Sequence, residues 1–289
     1  MKNVFLITTD HLEDHLWFYD DEDFKAGMNF VAVLAFRHGL TIIAFILMSN
    51  HVHFLVYGQR KDAKAFIDGF KNHHSRYLRH KYGFKELLRR NGVDIQLVSD
   101  LDEGVEKAVA YVHMNSVAAN ICSYPAQYPW GTGNLLFNPV KRKGKRLGDL
   151  SNSALRRLLH TYDTKLPSDW IIGEDDYILP ESYVDIEYAE RVFCSPKRMN
   201  FFLTNSSKAK RRLEVPEKNL PAFRDQIIIG ALPDLCRSLF QKKSFQDLSM
   251  EEKKEFVRQI RFRFSSEANQ IARVAGISYT EAAKLLDGM

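Results

Sequence analysis

Thr41-Ile-Ile-Ala-Phe-Ile-Leu-Met-Ser-Asn-His-Val-His-Phe-Leu-Val-Tyr57 decides the fold. Two apolar runs flank the polar pair Ser49-Asn50, so residues 40–48 and 51–57 predict two antiparallel strands joined by a short turn. Successive side chains of a strand alternate between faces, so His51 and His53 project from the same one. Two neutral imidazoles on one face can hold one divalent cation. They can equally be a hydrogen-bonded pair at the edge of a core, and the H-x-H spacing alone does not choose.

The flanking sequence extends the hairpin into a sheet. Residues 4–8 read as a short buried strand, and residues 20–38 as a helix opened by an acidic cluster and closed at Gly39. Residues 62–82 predict a long helix with apolar positions at Phe66, Ile67, Phe70, Tyr77 and Leu78, stopped at Gly83. Residues 93–98 alternate as a strand. Residues 100–115 predict a helix, with Asp100 or Asp102 as N-cap. The order β-α-β-β-α-β-α is that of an α+β fold, a ferredoxin-like split βαβ antiparallel sheet with an added helix. One sheet face is packed by helices; the other is open to a ligand, a second copy or a further helix.

After residue 123 the texture changes to turns, prolines and aromatics, and residues 144–149 look like a boundary. Short helical patterns follow at 152–162 and 183–193, and residues 249–287 are helical and amphipathic. Within the last stretch, Glu267-Ala-Asn-Gln-Ile-Ala-Arg-Val-Ala-Gly-Ile-Ser-Tyr-Thr-Glu-Ala-Ala-Lys-Leu-Leu286 reads as a helix, a glycine corner and a second helix. That is the pattern of a helix-turn-helix, or of an ordinary αα-hairpin. The expected division is residues 1–140 for the sheet and its chemistry, 141–222 for an irregular and helical extension, and 223–289 for a helical C-terminal module.

Charge narrows the partners. The net charge of +5 is small, but cations cluster between residues 71 and 90, in Lys141-Arg-Lys-Gly-Lys-Arg146 and in Lys208-Ala-Lys-Arg-Arg212. Such clusters suit a polyanion or a solvated helix face. The three cysteines form no C-x-x-C pair, which excludes zinc-finger and disulfide frameworks and fits a reducing cytoplasm. The apolar run at the N-terminus is too short for a signal peptide. No apolar run reaches the ~18 residues of a membrane span, so no membrane partner is expected.

A third element gives the histidines meaning. In Ala110-Tyr-Val-His-Met-Asn-Ser-Val-Ala-Ala-Asn120, Tyr111 and Asn115 stand at i and i+4 and share a helical face. A phenol beside a metal and a phosphate can act as a nucleophile, and an amide oxygen can ligate a hard cation. Taken alone, Tyr111 reads as well as a half-buried packing aromatic.

Three blocks, in order, resemble the single-tyrosine HUH transposases, in particular the REP-associated tyrosine transposases of the IS200-like superfamily. They are Met48-Ser-Asn-His-Val-His-Phe-Leu-Val56, the basic Phe70-Lys-Asn-His-His-Ser-Arg-Tyr-Leu-Arg-His-Lys-Tyr-Gly83, and Tyr111-Val-His-Met-Asn-Ser-Val-Ala-Ala-Asn-Ile121 followed by Tyr128-Pro-Trp130. Together they span about residues 1–137. The resemblance implies that His51 and His53 are the histidine pair that ligates Mg²⁺ or Mn²⁺, that Asn115 completes this site, and that Tyr111 is the nucleophile. Ser49 and Ser116 replace prolines of the family pattern, Asn120 replaces a glycine, and the family's W-x-x-R-F stretch is missing between the basic helix and the last strand.

The implied reaction is transesterification of single-stranded DNA beside a hairpin, through a 5′-phosphotyrosine link. The implied partners are hairpin-bearing single-stranded DNA and, in many members, a second copy joined through the sheet region. For DNA contacts, Lys71, Arg76, Arg79 and Lys81 suit phosphates, while Tyr77 and Trp130 suit unpaired bases. His113 and His73 are candidate bases. Two other readings compete: a catalytically silent DNA-binding regulator on the same fold, and an unrelated metallohydrolase that turns over through water.

Overall fold

Alternating side chains organise the sheet. The computed structural model describes residues 1–10, 16–84, 88, 91–99, 101–140, 142–206, 223–264 and 266–287. Strand β1 (Asn3–Thr9) leads through helix α1 (Asp21–Arg37) to the hairpin β2 (Thr41–Met48) and β3 (His51–Gly58). Helix α2 (Arg60–Tyr82), strand β4 (Val93–Leu97) and helix α3 (Gly104–His113) follow. The strands are all antiparallel in the order β2-β3-β1-β4, as the ferredoxin-like reading expects.

Local signals set the helix ends. Asp20 caps α1 with a reciprocal box: its carboxylate accepts from the Asp23 N–H at 2.9 Å, and the Asp23 side chain accepts from the Asp20 N–H. Gly83 ends α2 at φ 75°, a left-handed conformation that suits a residue without a Cβ. Helix α3 departs from expectation. It starts at Gly104, one residue later than a cap at Asp102 would place it, and its N-cap is Glu103 in a left-handed conformation without a side-chain cap bond. Asp102 is also left-handed, at φ 56°, so it belongs to the turn before the helix; Asp100 lies outside the described residues.

Val52, Phe54 and Val56 of β3 are fully buried. Phe54 meets Phe66 and Phe70 of α2 with ring centroids 5.0 and 5.3 Å apart, so this face of β3 is the one that α2 covers. Helix α1 approaches β2 closely: a Cβ on Gly27 would stand 3.1 Å from the Leu47 side chain and 2.6 Å from the Phe18 ring. Helix α3 covers the opposite face, because Tyr111 packs on His53, which alternates with Val52 and Phe54.

The outer edge of β2 is paired with later segments of the same chain. The Leu47 N–H donates to Trp130 O at 2.8 Å, Thr132 N–H to Phe45 O at 3.0 Å, and Asp185 N–H to Ile42 O at 2.8 Å. Trp130 is therefore a wedge: it is buried and stacks on Phe24 at 4.9 Å and 6°. Such pairing blunts a sheet edge that would otherwise template another chain.

Beyond α3, helices α4 (Asn115–Ala118), α5 (Asn152–Leu159), α6 (Ile186–Phe193) and α7 (Pro196–Asn205), with the short pair β5 (Gly144–Arg146) and β6 (Ile171–Gly173), form a mostly helical extension. Phe193, Met199, Phe202 and Leu203 join the same apolar cluster as Phe54 and Phe66, so this extension shares the core of the sheet. Helices α8 (Asp225–Phe240), α9 (Met250–Phe264), α10 (Ala268–Ala275) and α11 (Tyr279–Asp287) enclose a cluster of their own, with Ile228, Phe256, Ile260, Ile271 and Leu285. Gly276 turns α10 into α11, as the sequence pattern expects. The basic stretch 208–212 lies outside the described residues, as do residues 85–87 and 89–90 of the basic segment 71–90 and Lys141 of the run 141–146. No helix among the described residues is long and apolar enough to cross a membrane.

Candidate active site

The hairpin and α3 bring three rings together. His51 and His53, two residues apart on β3, meet edge to face with centroids 4.9 Å apart. The His53 ring meets Tyr111 of α3 at 5.4 Å and 87°. His51 is 5% exposed and His53 1%, whereas Tyr111 is half-buried. The imidazoles thus sit at the floor of the site and the phenol at its rim.

Asn115 lies one helical turn beyond Tyr111, past the break at Met114 that separates α3 from α4. Its Nδ2 donates to the carbonyls of Tyr111 at 2.8 Å and Val112 at 3.2 Å. Both partners only accept, so the orientation of the amide is set. His51 is oriented in the same manner. Its Nδ1 stands 2.8 Å from Asn50 Oδ1, a carbonyl oxygen that can only accept, so Nδ1 carries the proton and Nε2 keeps its lone pair.

Among the described residues no three His, Cys, Asp or Glu side chains cluster as a metal group. A cation on the histidine pair would meet imidazole nitrogens, and the Asn115 amide, one turn beyond Tyr111, is the neutral oxygen donor expected beside them. That donor set fits a hard divalent ion whose remaining positions are taken by water and phosphate oxygens, and its nitrogens suit Mn²⁺ as well as Mg²⁺. Asn50, which orients the imidazole from behind, fits the same purpose.

The turn that carries Asn50 is itself held. Ser49 Oγ donates to Asp225 Oδ2 of α8 at 2.6 Å. Asp225, 3% exposed, also accepts from Gln270 Nε2 at 2.8 Å and from Arg273 Nε at 3.1 Å, both on α10. Gln226 donates to Phe18 O at 2.8 Å beside it. A hydrogen-bonded path thus runs from the C-terminal module to the residue before Asn50. Sequence reading missed Asn50, Asp225, Gln270 and Arg273. The one available signal was Ser49, a hydroxyl donor standing where the family pattern has proline. Asn120 is explained as well: it adopts φ 56°, which suits the glycine it replaces and which asparagine tolerates.

Four of the expected DNA contacts engage other parts of the chain. Lys71 is buried, with its ammonium on the carbonyl of Asn91. Lys81 bonds Asp20 and Asp23, each at 2.7 Å, and this pairing holds its pKa well above the usual lysine range against the opposing effect of burial. Tyr77 packs between Phe30, His74 and His160, and Trp130 is a buried wedge. Lys71 and Trp130 are buried, so these two do not present a surface to DNA; Tyr77 is half-buried, and Lys81 is exposed but paired with two carboxylates. Arg76 and Arg79 are exposed on α2.

Neither candidate base reaches the phenol. His113 is fully buried, bonds Thr132 Oγ1 at 2.9 Å through Nε2, and has its pKa pushed down to about 4 by burial. His73 bonds Gly69 O at 2.9 Å on α2, across the sheet from Tyr111.

Part of the chain is similar to known proteins. Residues 17–92 match the family model described as "Transposase IS200 like". The match holds the hairpin with His51 and His53; Tyr111 and Asn115 lie beyond it. A solved REP-associated tyrosine transposase bound to a REP hairpin is similar at 12% identity, over 46% of this chain and 77% of that one, with a TM-score of 0.33. No curated protein matches. The stretch that holds the hairpin and its flanking helices is thus similar to the IS200-like transposases.

Proposed function

We propose that this protein is a metal-dependent tyrosine transposase that cleaves and rejoins single-stranded DNA next to hairpins. The observation that carries the reading is the contact of His51, His53 and Tyr111: two imidazoles from the matched hairpin and a phenol from a helix outside the match converge on one face of the sheet.

His51 Nε2, the His53 ring and Asn115 Oδ1 would hold a divalent cation, Mg²⁺ or Mn²⁺. When bound, it withdraws charge from the oxygens of a scissile phosphate. Asn50 and the two helix carbonyls keep the imidazole and the amide oriented without reorganisation. The phenolic oxygen of Tyr111 attacks phosphorus; its bond to phosphorus forms as the bond to the 3′-oxygen breaks. The proton leaves the phenol for water at the half-open rim, and the 3′-oxygen leaves as a hydroxyl. The product is a 5′-phosphotyrosine, whose ester bond keeps the energy for rejoining. Reversal by the same or another 3′-OH restores the phenol. Arg76 and Arg79 supply cations for the flanking duplex or strand.

Tyr111→Phe tests this reading. A labelled hairpin oligonucleotide with single-stranded flanks forms a denaturation-resistant adduct with the wild type and none with the variant. Chelation abolishes the adduct and Mn²⁺ or Mg²⁺ restores it. An adduct that survives Tyr111→Phe removes Tyr111 as nucleophile. Turnover through water with no adduct favours the metallohydrolase, and hairpin binding without either favours a silent regulator.

A further inference from the structure

A cleft of about 320 Å³ opens between α3 and α7, and Tyr111 forms part of its wall. That volume lies at the lower end of small-molecule sites, where a single planar ring system fits. Lys107 and Tyr111, four residues apart on α3, line one side with Ala110 between them. Phe201, Phe202 and Asn205 of α7 line the other.

The two walls are fixed against each other. Arg198 of α7 reaches Glu106 at 2.9 Å and Glu103 at 3.1 Å on α3, so the carboxylates at the cleft are paired. The guanidinium also lies 5.0 Å over the Phe202 ring, which is buried. Phe201 differs: it is 60% exposed, perpendicular to Phe202 at 5.5 Å, and its large apolar ring faces solvent beside an open cleft. Exposed Lys107 spends one N–H on Asp102 O at 2.6 Å and keeps two donors for another acceptor. Asn205 offers an amide oxygen, its Nδ2 being engaged with Phe201 O at 2.8 Å.

Resting on the function proposed above, we infer that this cleft holds an unpaired nucleobase next to the scissile phosphate, stacked on Phe201, with the neighbouring backbone phosphate on Lys107. The occupant follows from continuity. Anything bound here shares a wall with the Tyr111 phenol, and a strand whose phosphate meets that phenol must place its next base within one nucleotide of it. A largely apolar cleft walled by Tyr111, Phe201 and Phe202, with the Lys107 cation on it, matches a base and its phosphate. Helix α7 lies outside the matched residues 17–92, so the slot is a property of this chain's extension and sets which nucleotide flanks the cut.

The test reads binding, so that it stands apart from cleavage. Short single-stranded oligonucleotides carrying 2-aminopurine at one position in turn are titrated into the full-length Tyr111→Phe protein, with abasic partners as controls. One position shows strong quenching and loses about tenfold in affinity when made abasic. Phe201→Ala binds the intact strand about tenfold more weakly and is indifferent to the abasic change; Phe201→Tyr restores both. Equal affinities of Phe201→Ala and its parent for every intact and abasic strand overturn the inference. So does full displacement of the strand's base by a free nucleoside monophosphate, which assigns the cleft to a mononucleotide. Neither result depends on whether an adduct forms, so failure of the cleft and failure of the proposed chemistry are read separately.

Discussion

The two faces of the sheet use the same residue types for opposite ends. Strand β3 presents Val52, Phe54 and Val56 to one face and His51 and His53 to the other. Both faces bury histidine. Under α2, His74 donates from Nε2 to the Trp17 carbonyl and packs among Phe18, Phe70 and Tyr77, so its ring is a core group whose pKa burial lowers to about 4. On the α3 face, His51 and His53 are as buried, yet His53 adjoins the half-open Tyr111, which in turn lines a cleft. Burial of an imidazole therefore says little about chemistry; what it adjoins decides. Folding energy is concentrated on the first face, and reactivity is expected on the second.

Substitutions can break this division. Phe54→Ala should cost about 3–5 kcal/mol in denaturant unfolding, because it empties a site packed by Phe66 and Phe70. His53→Ala, one residue away, should cost about 1–2 kcal/mol and abolish adduct formation. If both variants lose stability equally, the division fails.

Acid sharpens the comparison. His74 and His113 have folded pKa values lowered to about 4 from 6.5, so the unfolded chain binds their protons first. Their contribution is complete above pH 6.5 and is lost as the pH falls from 6.5 towards 4, on the order of 3 kcal/mol for each ring. Unfolding measured across that range should show the loss, and His113→Gln should remove about half of it.

Asp225→Ala leaves Ser49, Gln270 and Arg273 without their shared acceptor, and should cost about 2–3 kcal/mol. Ser49→Ala should cost about 1 kcal/mol. An equal effect from the two would show that the bond to the turn, not the tie within the C-terminal module, holds the contact. Smallest of all, Arg76→Ala and Arg79→Ala should leave unfolding unchanged and each lower the salt dependence of DNA binding by about one unit of slope.

The hairpin, the capped α1 and the i, i+4 pair Tyr111 and Asn115 were legible because their signals are local: period two, a box over three residues, one helical turn. The direction of long cationic side chains was not. Lys81 reads as a phosphate contact until Asp20, 61 residues earlier, is placed beside it. Trp130 reads as a stacking platform until its neighbours bury it, and Tyr77 until three rings pack around it. Asp225 is 176 residues from Ser49, and no local pattern could join them. Helix α3 misled for a related reason: acidic residues before a helix suggest a cap, but Asp102 and Glu103 take left-handed turns and leave the start to Gly104.

The central claim is that the two imidazoles and the phenol form one active site. Digestion of the covalent protein–DNA species, followed by mass spectrometry of the nucleotide-bearing peptide, tests it most directly. The account predicts a 5′-phosphate remnant on Tyr111, absent when His53 is replaced by Ala. A remnant on another side chain, or on Tyr111 in undiminished yield without His53, would contradict it.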